Sequence, residues 1–400
     1  MHPSERIRGA ASRLLDGKTI VLGVTGSIAA VRTVDLAREL IRHGARVLPV
    51  MTREAARIVH PNALEFATGV KPVTELTGAV EHVAALGKGQ GGAALMLVAP
   101  CTGNTVSKIA LGIDDSPVTT FVSTGLATTP ILLAPAMHET MYDNPFLVEN
   151  LERLRRAGVH FVEPAMEEGK AKLAEPGTIV EHVLRLAGPR TLAGKRVLVV
   201  NGATHEPIDA MRVVTNRSTG ATGAALAREA FRLGADVELW HAHGDAPLPA
   251  HVPLRRFSSV RDLLAMAPDA RGFDAVLVPA ALSDYAPAPR EGKVSSRAGD
   301  LDLKLHPAPK FIDALRESFD GALVPFKAES GVAGDALVEK ARATLRRVGA
   351  SFVVANDLAD VSAVRHRALL VDAASATPVE GAKDALARAV LDRLAKELVG

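Results

Sequence analysis

Short, wholly apolar runs alternate along this chain with longer stretches whose apolar residues recur every three or four positions. The first run, Thr19-Ile20-Val21-Leu22-Gly23-Val24, leads into a Gly/Ser/Thr turn. A helical pattern follows, ending Leu36-Ala37-Arg38-Glu39-Leu40-Ile41-Arg42-His43-Gly44, and then a second run at residues 45–52. The pattern returns at Lys195-Arg196-Val197-Leu198-Val199-Val200-Asn201, with a longer polar loop, a helix ending at Gly234 and a run at 235–240. Strand, glycine-containing turn, amphipathic helix stopped by glycine, and second strand make a βαβ unit. Its occurrence twice predicts two parallel sheets. Further runs at 93–99 and 129–134, and at 275–279, 322–325 and 352–355, are mostly separated by helical patterns. The fold class this predicts is α/β, two doubly wound, mainly parallel-sheet Rossmann-like domains. The Pro/Gly-containing stretch Gly188-Pro189-Arg190-Thr191-Leu192-Ala193-Gly194 places the boundary between domains 1–188 and 189–400.

Composition narrows the class. Of 400 residues, 48% are hydrophobic, enough for two cores, but only 4% are aromatic, so Ala, Val and Leu must fill them. Lys and Arg number 47 against 45 Asp and Glu, a net charge of +2, which argues against a nucleic-acid binder. A single cysteine, Cys101, excludes a disulfide framework and a Cys-rich zinc site and reads as buried filler. The first 16 residues lack the apolar core of a signal peptide, and no apolar run reaches the roughly 18 residues of a membrane span. The expectation is a cytoplasmic protein acting on small molecules, with no membrane or nucleic-acid partner.

In doubly wound sheets ligands bind beyond the carboxyl ends of the strands. The first such end reads Thr25-Gly26-Ser27-Ile28. Its glycine and hydroxyl, opening a helix, suit a phosphate, and they equally make a plain tight turn. The second strand ends Val50-Met51-Thr52, without the acid that a dinucleotide ribose needs, which favours a mononucleotide such as FMN with Thr52 as a further hydroxyl. Pro100-Cys101-Thr102-Gly103-Asn104 offers Thr102 and Asn104 either as ligand contacts or as a helix cap. Pro135-Ala136-Met137-His138 ends the fourth run. His82 and His138 are acid–base candidates as well as candidates for packed or surface histidines. In the second half, a long polar insertion carries Arg212, suited to a phosphate or carboxylate, and Ser218-Thr219-Gly220 reads as an anion-ready or merely capped helix N-terminus.

The stretch Glu206-Pro207-Ile208-Asp209, Arg212 and Asn216-Arg217-Ser218-Thr219-Gly220 resembles the phosphopantothenate–cysteine ligase signature. Gly26-Ser27-Ile28-Ala29-Ala30, Ala99-Pro100 with Thr102, Asn104 and Thr105, and Pro135-Ala136-Met137 resemble flavin-dependent cysteine decarboxylases in the same order. Together the halves resemble the bifunctional phosphopantothenoylcysteine decarboxylase/phosphopantothenate–cysteine ligases of coenzyme A biosynthesis, from about Lys18 to about Asp372.

This resemblance implies a flavodoxin-like first half. There Gly26, Ser27, Ile28, Thr52, Thr102, Asn104, Ala136 and Met137 hold FMN, and His82 is the catalytic base; His138 is a further catalytic candidate. It implies a ligase half in which Asn216 and Arg212 form and resolve an acyl-nucleotide, Asn216 donating to the acyl oxygen. Lys293 stands at the triphosphate of CTP, Asp284 near Mg2+ (or Mn2+), and Phe326 near the base. Gly202, Thr204, Ser218, Gly220, Ala281 and Lys310 are the remaining nucleotide or substrate contacts. It further implies a homo-oligomer, with trimers through the first half and dimers through the second.

Three departures resemble an archaeal-type variant. His138 stands where many members have Asn. The flap Glu168-Gly169-Lys170-Ala171-Lys172-Leu173-Ala174-Glu175 has no thiol, so Lys170 or Lys172 becomes the candidate proton donor. The lysine run near Lys293 is replaced by Val294-Ser295-Ser296-Arg297. The alternative expectation is an active ligase joined to a degenerate or regulatory flavoprotein half.

Overall fold

In the computed structural model the chain divides into two compact units, Met1–Pro189 and Arg190–Gly400. The structure describes residues 2–89, 92–295, 300–332, 334–360 and 366–398. Ser296 and Arg297, part of the altered lysine run, lie outside the described residues.

The first unit holds a five-stranded parallel sheet, β1 (Thr19–Val24), β2 (Arg46–Met51), β3 (Ala93–Cys101), β4 (Ile131–Pro135) and β6 (His160–Phe161), in the order β2-β1-β3-β4-β6. That is the flavodoxin-like order. Ile20, Leu22 and Val24 enter one apolar core and Val21 the other, so the strand is buried on both faces. This two-sided burial is why its sequence is a continuous apolar run rather than an alternation. Helix Thr33–Arg42 buries Leu36, Ala37, Leu40 and Ile41 along one stripe. It stops before Gly44, which has φ +102°, and a Cβ there would lie 2.3 Å from an Asp16 oxygen. The predicted strand-to-helix turn is more elaborate than expected: a 3₁₀ segment, Ile28–Arg32, precedes the α-helix. A small antiparallel sheet joins β5 (Met137–His138) to the flap hairpin of β7 (Ala165–Glu167) and β8 (Lys170–Lys172).

The second unit is built on β9 (Arg196–Asn201), β12 (Asp236–His241), β13 (Leu254–Arg256), β14 (Ala275–Val278), β17 (Ala322–Glu329) and β18 (Val353–Asp357). Their order, β13-β12-β9-β14-β17-β18, is that of the dinucleotide-binding doubly wound fold. Val197 and Val199 face one core, Leu198 and Val200 the other. Two further strands, β19 (His366–Val371) and β20 (Ala376–Gly381), extend the sheet antiparallel. β19 carries the short apolar run Ala368-Leu369-Leu370-Val371, a strand missing from those expected above, whereas β20 is largely exposed and bears no such run. Two short antiparallel arms complete the unit: β10 (His205–Pro207) with β11 (Val213–Thr215), and β15 (Tyr285–Pro287) with β16 (Leu305–Pro307).

The turn between β19 and β20 is pinned to the last helix, Lys383–Glu397. Asp372 accepts from the Ala374 and Ser375 N–H groups at 2.8 and 2.6 Å and from the Ser375 hydroxyl at 2.8 Å, and it meets Arg393 at 3.0 Å. Partial burial opposes ionisation, but these donors outweigh it and hold the carboxyl at about 2. A carboxyl whose folded-state pKa lies below the unfolded value of about 3.9 contributes stability above that pH and loses it as pH falls through the folded value. Asp372→Asn is therefore expected to lower the urea midpoint at neutral pH. Its deficit relative to wild type narrows as the titration is repeated from about pH 4 towards about pH 2.

Candidate functional sites

Each sheet reverses its strand order once, at β1/β3 and at β9/β14, and a cavity opens beyond the carboxyl ends at each reversal.

The first cavity measures about 790 Å³. Its floor is set by Thr25, 1% exposed, whose hydroxyl donates to the Pro100 carbonyl at 2.7 Å and accepts from the Thr102 N–H at 3.0 Å. This clip holds the ends of β1 and β3 at a fixed separation. Ser27 caps the 3₁₀ segment through the Ala29 N–H, Thr52 caps helix Arg53–Ala56 through the Ala55 N–H, and Thr102 caps helix Gly103–Leu111 through the Thr105 N–H. Capping thus occupies one acceptor position on each hydroxyl, and each keeps its hydrogen and a second lone pair for a ligand or a neighbour. Thr102 and Thr105 hydroxyls lie 3.0 Å apart.

Gly26, Ser27, Ile28, Thr52, Thr102, Asn104, Ala136, Met137 and His138 all line this cavity. Ile28 is 77% exposed, an apolar side chain held out at the mouth. Gly26 is required by packing, since a Cβ there would sit 2.5 Å from that of Glu54. His82 is elsewhere, on helix Glu81–Leu86 outside the cavity wall. Its ring stands edge-on to Phe121, and its buried Nδ1 has no hydrogen-bond partner among the described residues. Cys101 is fully buried, and burial pushes its thiol well above the ordinary range, which suits filler and not a nucleophile.

The flap closes over the wall. His138 stands directly across from Lys170 in the β5–β8 ladder. Lys170 and Lys172 both line the cavity, but Lys172 is held by Glu168 at 2.8 Å and Glu167 at 3.3 Å. Those contacts raise its pKa and make it a poorer proton donor than an unpaired lysine. Arg32 and Glu175, which motif reading missed, pair across the rim through two hydrogen bonds of 2.7 and 2.9 Å.

The second cavity measures about 1210 Å³. Asn216, Ser218, Gly220, Ala281 and Phe326 line it, and the N-terminus of helix Ala221–Arg232 opens onto it. Gly202 and Thr204 lie behind the wall and shape it. A Cβ on Gly202 would meet the His243 carbonyl at 2.6 Å. Thr204 accepts from the Ser283 N–H at 3.0 Å and, through its carbonyl, from the Thr215 hydroxyl at 2.9 Å. The Asn216 amide nitrogen donates to the Ala281 and Leu282 carbonyls at 3.3 and 3.0 Å. Its hydrogens are committed there, so in this conformation it offers a ligand its oxygen, an acceptor, in place of the expected donor.

Arg212, Asp284, Lys293 and Lys310 lie outside this cavity's lining. Arg212 is turned to the Asp209 carboxylate at 2.8 Å and the Val294 carbonyl at 3.2 Å. Asp209 also accepts from the N–H groups of Met211, Arg212 and Val294, which keep its carboxyl below the usual range. This knot, unread in the sequence, ties down the loop that carries the exposed Lys293. Asp284 and Lys310 form an ion pair with each other. Among the described residues no cluster of three or more His, Cys, Asp or Glu is arranged to hold a metal, and none of the helices searched is long and apolar enough to cross a membrane.

Five basic wall residues escaped motif reading: His205, His243, Arg256, His366 and Lys383. His205 and His243 stack with centroids 3.5 Å apart and planes within 4°. Burial, then His205 and Arg256, lower the pKa of His243. His243 follows the end of β12, where the strand-end rule could have found it. His366 begins an antiparallel strand and carries no such signal.

Residues 8–188 match the flavoprotein family model, and residues 192–398 match that of the DNA/pantothenate metabolism flavoprotein C-terminal domain. The chain is 46% identical over 375 residues to the coenzyme A biosynthesis bifunctional protein CoaBC of Thermococcus kodakarensis, with 93% of each chain covered. Identity to the protein of that name from Methanocaldococcus jannaschii is 36% over 362 residues, covering 90% of this chain and 88% of the other. Among solved structures, the DNA/pantothenate metabolism flavoprotein from Streptococcus pneumoniae is 27% identical, with a TM-score of 0.47; the match covers 51% of this chain and 100% of that one.

The tightest approach in the second site is Gly223, where a Cβ would lie 2.3 Å from Asn201 Cγ. Gly223→Ala must move the Asn201 side chain or the helix. The expected loss is about 1–3 kcal/mol, measured as a shift in urea unfolding followed by circular dichroism.

Proposed function

The chain belongs to the CoaBC family of bifunctional coenzyme A biosynthesis enzymes, and from that premise we propose that its two activities divide between its two cavities. The enzyme joins 4′-phosphopantothenate to cysteine and decarboxylates the product. In our reading the second unit is the ligase and the first the FMN-dependent decarboxylase. The observation that carries this reading is the first cavity's wall, which gathers all eight residues expected for the flavin together with His138. An active ligase fused to a degenerate flavoprotein half is not favoured, because both halves match their family models and the relatives that span the chain are named as bifunctional.

The residues of the first cavity fit FMN. Ser27, Thr52 and Thr102 supply hydroxyls, the capped helix ends supply N–H groups for a phosphate, and Ile28 and Met137 supply apolar walls for a flat ring. Bound flavin supplies a reversible hydride acceptor, which makes loss of CO2 from a cysteine carboxylate feasible. His82 is the base. Its absence from this cavity's wall favours delivery to the site of a second copy, and exposed Ile28, Met141 and Phe146 (77%, 51% and 77%) offer apolar surface for such an assembly. His138 or Lys170, facing each other across β5 and β8, returns the proton.

In the second cavity the N-terminus of helix Ala221–Arg232 and Ser218 take the phosphates of CTP, and Phe326 flanks the base. Asp284, outside this cavity's lining and ion-paired with Lys310, would have to release that lysine to offer its single carboxylate to Mg2+, which would neutralise phosphate charge there. Lys293 neutralises phosphate charge, and Arg212 positions it through Val294. Asn216, with its amide hydrogens engaged, accepts from the attacking cysteine amine. Exposed Met211, Val213, Tyr285 and Leu305 on the antiparallel arms support pairing of ligase units as dimers.

The reading is tested by giving the purified protein 4′-phosphopantothenate, cysteine, CTP and magnesium and following products by mass spectrometry. The expected end product is 4′-phosphopantetheine. Arrest at 4′-phosphopantothenoylcysteine, with flavin bound, sinks the decarboxylase assignment. His82→Asn is expected to slow decarboxylation by about 10²–10⁴-fold and leave ligation intact. Retention of more than about a tenth of the rate removes His82 from the role of base.

A further inference from the structure

His366 is 4% exposed, and among the described residues neither of its ring nitrogens has a hydrogen-bond partner. It forms part of the second cavity's wall together with Phe326, Asn356, Leu358 and Lys383. Burial, and then the Lys383 charge, lower its pKa, so the ring is neutral near pH 7. A neutral imidazole carries one N–H donor and one lone pair. Burying both unpaired is unfavourable, and a native structure rarely tolerates it without a reason.

The position of the ring suggests that reason. The helix N-terminus that attracts an anion follows β9, whereas His366 opens β19, four places along the sheet. At a strand spacing of about 4.8 Å that is about 19 Å away. One end of the cavity is therefore built for negative charge. The other has the Phe326 ring, the Asn356 amide, the Lys383 ammonium and an unpaired donor–acceptor ring, a set of donors and acceptors beside an aromatic side chain that can recognise a flat polar heterocycle.

We propose that His366 contacts the base of the nucleoside triphosphate and sets the ligase's base preference. This inference rests on the nucleotide reading of the second cavity.

The test is calorimetric titration of the full-length protein, wild type, His366→Leu and His366→Gln, with CTP, ATP and inorganic triphosphate. His366→Leu is expected to raise the Kd for the preferred nucleotide at least about tenfold and narrow the CTP/ATP ratio. Its Kd for inorganic triphosphate stays within about twofold, and Tm is unchanged or higher because two unpaired nitrogens are gone. His366→Gln, which keeps a donor and an acceptor, recovers part of the affinity. Equal weakening towards CTP and inorganic triphosphate overturns the proposal by moving His366 to the phosphate end. Unchanged nucleotide affinity with a lowered Tm overturns it by making the ring a packing residue. Wild type that binds neither nucleotide brings down the nucleotide reading itself, a failure visible before any variant is compared.

Discussion

Both units depend on one constraint: a parallel sheet covered by apolar side chains on both faces can place polar groups only at the ends of its strands. Where the strand order reverses, the connections leave towards opposite faces and the strand ends part. The gap exposes backbone N–H and C=O groups that need partners. A threonine meets that need in each unit. Thr25 bridges the ends of β1 and β3, and Thr204 bridges the end of β9 to Ser283 beyond β14. These buried hydroxyls keep the two crevices open at a fixed width, and the ligand-facing residues hang from the turns they stabilise.

The second unit adds a further layer of control. Lys293 sits on an exposed loop, where a long side chain alone would define no position. Asp209, with four donors on its carboxylate, fixes the turn before Arg212 and the backbone at Val294 together. The Arg212 fork closes the same knot on the Val294 carbonyl. Hydrogen bonds to an ionised carboxylate are among the stronger kind, so a residue that never reaches the cavity can govern where Lys293 points. The Arg212 side chain is half of that scaffold in this conformation.

Much of the first site was legible because its residues cluster in short segments at parallel strand ends. Ser27, Thr52, Thr102 and Met137 each lie within three residues of the end of an apolar run, so the strand-end rule and the family motif point at the same positions. His82 was legible as a motif but not as a place, since this cavity's wall does not include it. In the second unit the rule failed for His366. Its strand runs antiparallel, so its beginning, not its end, lies at the cavity edge, and His366 precedes the apolar run Ala368-Leu369-Leu370-Val371 instead of following it. The commitment of the Asn216 amide was equally hidden, because it depends on carbonyls 65 and 66 residues away.

What the sequence determined by itself was periodicity and order: two βαβ beginnings, apolar runs long enough to be buried on both faces, glycine at the helix ends, and motifs in the succession of a bifunctional enzyme. These are local properties, written within a few residues of where they act. Only the tertiary structure decided the eight-stranded sheet with its antiparallel edge, the Asp209 knot, the stacking of His205 on His243 and the entry of His366 into the cavity wall. Those features join residues distant in sequence, and such pairings depend on which strands become neighbours, a choice made by the packing of both sheet faces at once.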